Sequence, residues 1–232
     1  MKELERRHPE RKDLAEKNRY RAIDKLCRSG INSLAVVNDG GSMTTFPSRV
    51  LFLALWVSFG HSVSEAQDSI PFVPSPMHVV HRMIELAQIK QGDILYDMGS
   101  GDGRIVIEAA KKYGIRGVGI DLNPELVAKA KESAINEGVS HLVEFRAQDG
   151  LTVDLSEATV VTLYMFKCFN NALRPKLQKL KPGSRVIAHD FDIDDWKPTR
   201  VEHIGPPTDG TSDYAESRTL YVWVVGEMPA MP

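Results

Sequence analysis

Five short apolar runs alternate with stretches of helical spacing, and this alternation limits the folds open to the chain more than any other feature. The runs cover residues 93–98, 117–121, 143–147, 158–163 and 185–188. Between them Ile105, Val106, Ala109 and Ala110 recur three and four apart, Asn123-Pro124 opens a second helical stretch, and Leu173, Leu177 and Leu180 mark a third over residues 171–180. Short apolar runs bounded by glycine read as buried strands, and strands joined through helices run parallel with helices on both faces of the sheet. A leading helix is predicted where Ser75-Pro76 offers an N-cap followed by proline, with Val79, Val80, Met83, Ile84 and Ala87 on its inner side. After residue 188 the pattern changes. Two more strands, 200–204 and 219–225, are separated by a stretch rich in Gly, Pro, Ser, Thr and Asp, and strands without a crossover helix pair antiparallel or sit apart. The expected architecture is α/β: a doubly wound, mostly parallel seven-stranded sheet with a C-terminal antiparallel hairpin.

Composition narrows the function. With 42% hydrophobic and 26% charged residues the chain is ordinary globular protein. Its two cysteines, Cys27 and Cys168, form no CxxC pair and have no histidine at ligand spacing, so neither a disulfide framework nor a metal site is expected. Residues 67–232 hold 23 Asp and Glu against 18 Lys and Arg, and an acidic body repels phosphate backbones, so no nucleic-acid partner is expected. Upstream, residues 1–42 are charged and poor in apolar side chains, which predicts a disordered extension or an over-long gene start. Residues 43–66 have the layout of a secretory signal: a start at Met43, Arg49, an apolar run over 50–60, then Ser64-Glu65-Ala66. The run is 11 residues, or 14 if carried to Val63, short of the roughly 20 that a spanning helix needs. Export or membrane anchoring through residues 50–63 is the expectation, with a cytoplasmic location as the alternative, because the cofactor inferred below is made in the cytosol. The catalytic body is assigned to residues 67–232.

Ligands of open α/β sheets bind at the carboxyl ends of the strands. The loop after the first run reads Asp97-Met-Gly-Ser-Gly-Asp-Gly103. Gly99, Gly101 and Gly103 alternate with Ser100 and Asp102, and missing β-carbons let a backbone approach a ligand closely. A dinucleotide loop needs glycine where Arg104 stands, and the Gly-Lys-Ser/Thr of a P-loop is absent. Acids take their place. Asp97 precedes the glycines; Asp121 ends the second strand, 18 residues after Gly103, where a carboxylate can accept both hydroxyls of a ribose; Asp149 ends the third, where it can receive an adenine amine. Three acids disfavour a pyrophosphate and suit the positive sulfonium and ammonium groups of S-adenosyl-L-methionine.

The stretches Asp97-Met-Gly-Ser-Gly-Asp-Gly103 and Gly119-Ile-Asp121, with Asp149, resemble the first three motifs of class I S-adenosylmethionine-dependent methyltransferases. The likeness covers residues 71–225. Adding Pro71-Phe-Val-Pro-Ser-Pro76 and Gly119-Ile-Asp-Leu-Asn-Pro124, the chain resembles a small group of protein-lysine methyltransferases that includes the mitochondrial enzymes acting on ATP synthase and on the adenine nucleotide translocator. That resemblance implies a Rossmann-like methyltransferase fold and a cofactor site made by Asp97, Gly99, Ser100, Gly101, Asp102, Gly103, Asp121 and Asp149. The group usually carries Glu where this chain has Asp121, so the acid is kept. Residues 164–169 and 189–192 match nothing confidently, which leaves a protein or a small molecule as the methyl acceptor.

Methyl transfer from sulfonium is an in-line displacement that needs positioning and a dry path more than a covalent intermediate. A lysine acceptor must first lose its proton, which an aromatic, weakly polar channel favours. Tyr164, Phe166 and Phe72 are candidates for its lining, and His189 and Asp190, at a strand's end, are candidates to orient or deprotonate the acceptor. The run Asp190, Asp192, Asp194, Asp195 lacks the glycine and glutamate of a calcium loop and reads as a polar turn. A small-molecule methyltransferase, a nicotinamide-dependent oxidoreductase and a non-catalytic nucleotide-binding domain are the alternatives on the same fold.

Overall fold

The computed structural model describes residues 72–206 and 217–227. The extension at 1–42 and the signal-like segment at 43–66 lie outside the described residues. Residues Phe72–Pro232 form a compact unit of their own.

Its elements are α1 (Met77–Leu86), β1 (Ile94–Met98), α2 (Arg104–Tyr113), β2 (Arg116–Asp121), α3 (Pro124–Asn136), β3 (Val143–Ala147), a 3-10 turn (Gly150–Thr152), β4 (Val160–Leu163), α4 (Lys167–Leu177), β5 (Arg185–His189), β6 (Arg200–Ile204) and β7 (Arg218–Val224). The sheet order is β3-β2-β1-β4-β5-β7-β6. The first five strands are parallel, and β7 runs antiparallel between β5 and β6. This is the expected seven-stranded architecture.

Strand alternation builds two cores. Leu95, Val160, Ile187, Leu220 and Val222 face α1, α2 and α3, while Tyr96, Met98, Val118, Leu163, Val186 and Trp223 face α4. Polar ties close the amino end of the sheet. Arg185 donates to the Ala87 carbonyl and grips Asp93, whose carboxylate also accepts from the Thr159 hydroxyl. Burial disfavours the Asp93 charge, but Arg185 and the other donors outweigh it and hold the carboxyl below its ordinary range.

Two expectations need correction. Ser75 does not cap α1: Pro76 is the N-cap residue and no side chain caps that end, because the Ser75 hydroxyl is bonded to His189, across the sheet. The helix expected over 171–180 runs instead from Lys167 to Leu177, with Pro175 in its last turn. Its extra first turn is held by tertiary bonds: Asn170 Nδ2 donates to the Phe191 carbonyl, and Lys167 pairs with Asp192 and Asp194 at 2.9 and 2.6 Å. Spacing of leucines alone carries no sign of those ties.

Candidate active site

Strand order reverses between β1 and β4, so the loops after these strands part and leave a crevice at the carboxyl edge. The glycine loop forms one wall. Gly99, Gly101 and Gly103 all have positive φ, at 78°, 55° and 81°, which bends the chain sharply from β1 into α2. The Gly99 and Ser100 amides donate to the Ile120 carbonyl, pinning the loop to β2. A β-carbon on Gly101 would come 2.2 Å from the Phe72 ring, and one on Gly99 would come 2.4 Å from Met165 Sδ. Phe72, from the segment ahead of α1, and Met165, from the loop after β4, thus cover the bare main chain. Gly103 likewise leaves room for the Phe145 ring, at 2.7 Å from its would-be β-carbon.

The acids differ in their surroundings. Asp97 is buried on β1, with the Thr162 hydroxyl donating to it at 2.7 Å. Burial raises its carboxyl to about 7, and the neighbouring charges of Asp121 and Asp102 push the same way against the Thr162 bond. Asp121 accepts from the Gly101 amide on Oδ2 and from the Asn123 amide on Oδ1, both at 2.9 Å. Each oxygen keeps a second lone pair. Asp149, exposed, accepts the Leu151 amide on Oδ1. Asp102 is engaged by Arg104, which donates from Nε to Oδ1 at 2.9 Å and from Nη2 to Oδ2 at 2.6 Å. Burial opposes the Asp102 charge, yet this guanidinium holds the carboxyl below its usual range. The Ser100 hydroxyl is buried against β2, 2.8 Å from the would-be β-carbon of Gly119. Leu122 and Leu151, next in chain to Asp121 and close to Asp149, expose 65% and 39% of their surface. Sequence reasoning passed over both leucines, although an apolar residue directly after a strand-end acid is a readable signal.

On the other wall aromatic rings gather. Tyr164 stacks on His189 with ring centres 3.9 Å apart, and Phe191 lies 6.3 Å from Tyr164 and 5.7 Å from Phe166. His189 has no exposed surface and lies behind Tyr164. Burial lowers its imidazole to about 4, partly offset by Asp190 and reinforced by Arg218 and His78, so the ring is neutral at ordinary pH. Asp190 has φ of 59°, a left-handed backbone unusual for a non-glycine residue. Its carboxylate accepts from Arg218 Nη1 at 3.0 Å and from the Thr219 amide at 2.9 Å. Of the three acceptor-side candidates, Tyr164 lies partly exposed, His189 is enclosed, and Asp190 is bound to β7. The nearby Asp192 and Asp194 pair with Lys167, as a polar turn.

A buried carboxyl with a single hydroxyl donor among the described residues, flanked by two further acids, is a site whose chemistry asks for a cation. The donor set therefore fits S-adenosylmethionine better than any phosphate-bearing cofactor.

Comparison with known proteins agrees. The ANTKMT methyltransferase domain family model matches residues 97–200. A protein-lysine N-methyltransferase of Saccharolobus islandicus is 41% identical over 160 residues, covering 68% of this chain and 95% of that one. A human ATP synthase lysine N-methyltransferase is 36% identical over 181 residues, covering 77% of this chain and 76% of its own. A solved structure described as an RNA methyltransferase from Salinibacter ruber, in complex with S-adenosyl-L-homocysteine, is 48% identical with a TM-score of 0.58 and covers 68% of this chain and 97% of that one. An acid-lined crevice on this sheet, together with these relatives, makes the chain a member of the ANTKMT methyltransferase-domain family and an S-adenosylmethionine-dependent methyltransferase.

Proposed function

We propose that the methyl acceptor is a protein lysine, delivered through the aromatic wall to a donor held by the glycine loop and its acids. S-adenosylmethionine supplies, when bound, a methyl group on positively charged sulfur. Asp97 ionises to neutralise donor charge. Asp121 offers its spare lone pairs to ribose hydroxyls, Asp149 accepts an adenine amine, and Leu122 and Leu151 give apolar faces to the base. Gly99, Ser100, Gly101 and Gly103 shape the main chain that the donor lies against, and Asp102 acts through Arg104 to fix that shape. Phe72 and Met165 keep water from the crevice.

The observation that carries the lysine reading is the cluster of Tyr164, Phe166 and Phe191 rings beside the crevice. Such a surface accommodates an ammonium by cation–π attraction, and loss of water around it lowers the amine's pKa, so the proton passes to solvent and the nitrogen lone pair is freed. Asp190 is not needed as a base, its carboxylate being committed to Arg218 and Thr219. The names of the archaeal and human relatives support the same acceptor class. A second reading, an RNA acceptor, is favoured by the description of the Salinibacter ruber structure.

Cell lysate incubated with protein and methyl-tritiated S-adenosylmethionine decides between them. Label is expected to be lost to protease and recovered as methyl-lysine after acid hydrolysis; label lost to ribonuclease instead would replace lysine with RNA. In the same assay Asp121→Ala is expected to weaken donor binding more than about tenfold, as removal of a charged acceptor does, while Asp192→Ala leaves it unchanged. Equal effects would contradict the placement of the donor.

A further inference from the structure

The Ser75 hydroxyl lies 2.9 Å from His189 Nδ1, a bond between residues 114 apart in sequence with both partners buried. Ser75 is tied a second time through its carbonyl, which accepts Arg104 Nη1 at 2.8 Å, and Arg104 in turn grips Asp102 of the glycine loop. The segment from Phe72 to Pro76 is thus strapped over the donor crevice, Phe72 against Gly101, by one residue that touches both walls. On the far side the His189 ring supports Tyr164, and its Nε2 lies 3.4 Å from Asp190 Oδ2, which Arg218 and the Thr219 amide fix in place. Nε2 has no hydrogen-bond partner of normal geometry. The carboxylate nearby assigns the proton to Nε2, which leaves Nδ1 to accept the Ser75 hydroxyl proton.

We propose that Ser75 and His189 are positioning residues for methyl transfer: their bond locks the cover of the donor crevice to the aromatic wall of the acceptor path. Neither touches substrate. Ser75 acts through Phe72 and the loop, His189 through Tyr164. The choice of an uncharged imidazole has a reason in the reaction: a donor sulfonium and an incoming amine are cationic, and a charged anchor beneath Tyr164 would repel both. A link of this kind sets the approach of donor and acceptor, and a misplacement on the order of 1 Å in such alignment is enough to cost about a hundredfold in rate.

The inference rests on methyl transfer in this crevice and on the acceptor wall proposed above. Its test uses the full chain with Ser75→Ala and Ser75→Thr, titrated with S-adenosylmethionine and assayed by tritium transfer to the labelled lysate fraction. Ser75→Ala is expected to lower turnover at saturating donor by about tenfold or more, with donor affinity and melting temperature near those of the wild type, and Ser75→Thr to recover most of it. Long-range 1H–15N spectra of the imidazoles are expected to show His189 as the Nε2–H tautomer, neutral down to about pH 5, with the Nδ1 shift displaced in Ser75→Ala. Wild-type turnover in Ser75→Ala overturns the proposal, as does equal loss in both variants with a fall in melting temperature, which marks a merely structural contact. An imidazole that titrates near 6.5 also overturns it. If no lysate fraction takes label from the wild type, the acceptor reading fails, while the imidazole spectrum still decides the Ser75 bond.

Discussion

Asp97 lies almost without solvent contact beside Asp121 and Asp102, and the charge it takes up governs both stability and donor binding. Between the unfolded value near 3.8 and about 7 the folded chain keeps a proton that the unfolded chain has released, so stability falls as pH rises through that window. His189 works the other way: between about 4 and 6.5 the unfolded chain binds a proton that the buried ring refuses, so stability rises with pH. The two slopes oppose each other up to 6.5, and beyond it only Asp97 acts. Asp97→Asn is therefore expected to melt higher than the wild type at about pH 8, with the gap closing toward about pH 4, as scanning calorimetry across pH would read. The same variant is expected to bind S-adenosylmethionine at least about tenfold more weakly by titration calorimetry, since a charged partner is lost. The positions of the acids were legible in sequence, because strand ends are marked by the runs that precede them. The coverage of Gly99 and Gly101 by Met165 and Phe72 was not: those contacts join side chains that spacing cannot relate.

At the scale of elements, α2 approaches β2 closely because two residues of that strand lack side chains. A β-carbon on Gly117 would come 2.5 Å from Val106 Cγ1, and one on Gly119 would come 2.4 Å from the Phe145 ring. Gly117→Ala is expected to destabilise the fold by about 1–3 kcal/mol in urea titration. Adding Val106→Ala is expected to cost less than the sum of the single changes, since the smaller side chain opens the space the new methyl needs. Alternation of apolar runs and helical spacing made the strands readable to within two residues, since that periodicity is local. Ser75 as a cap and the start of α4 were misread for the opposite reason. Their outcomes turn on His189, Asp192 and Asp194, which meet them only once the chain is folded.

For the whole molecule, stability and chemistry occupy opposite ends of one sheet. Arg185, Asp93, Thr159 and the end of α1 knit the amino edge, far along the strands from the glycine loop. Arg185→Ala leaves the Asp93 carboxylate without its guanidinium and is expected to destabilise by about 3 kcal/mol, the scale of breaking an enclosed ion pair, while donor affinity measured on the folded fraction stays the same. A parallel loss of affinity would mean that the two ends are coupled. The number of strands and the antiparallel finish could be read from the missing crossover helix. The place of β7 could not, because pairing between β5 and β6 is decided by Leu220, Val222 and Trp223 facing two cores at once.

That insertion orders events during synthesis. β6 leaves the ribosome before β7, yet it pairs with nothing else in the sheet, and β5 keeps an open border until residues Arg218–Val224 have been translated. A nascent chain stalled ahead of Arg218 presents that border to its neighbours on the polysome, where an unpaired strand recruits another strand. Translation of the closing strand, rather than formation of the ligand crevice, is the moment at which this protein becomes safe from its own copies.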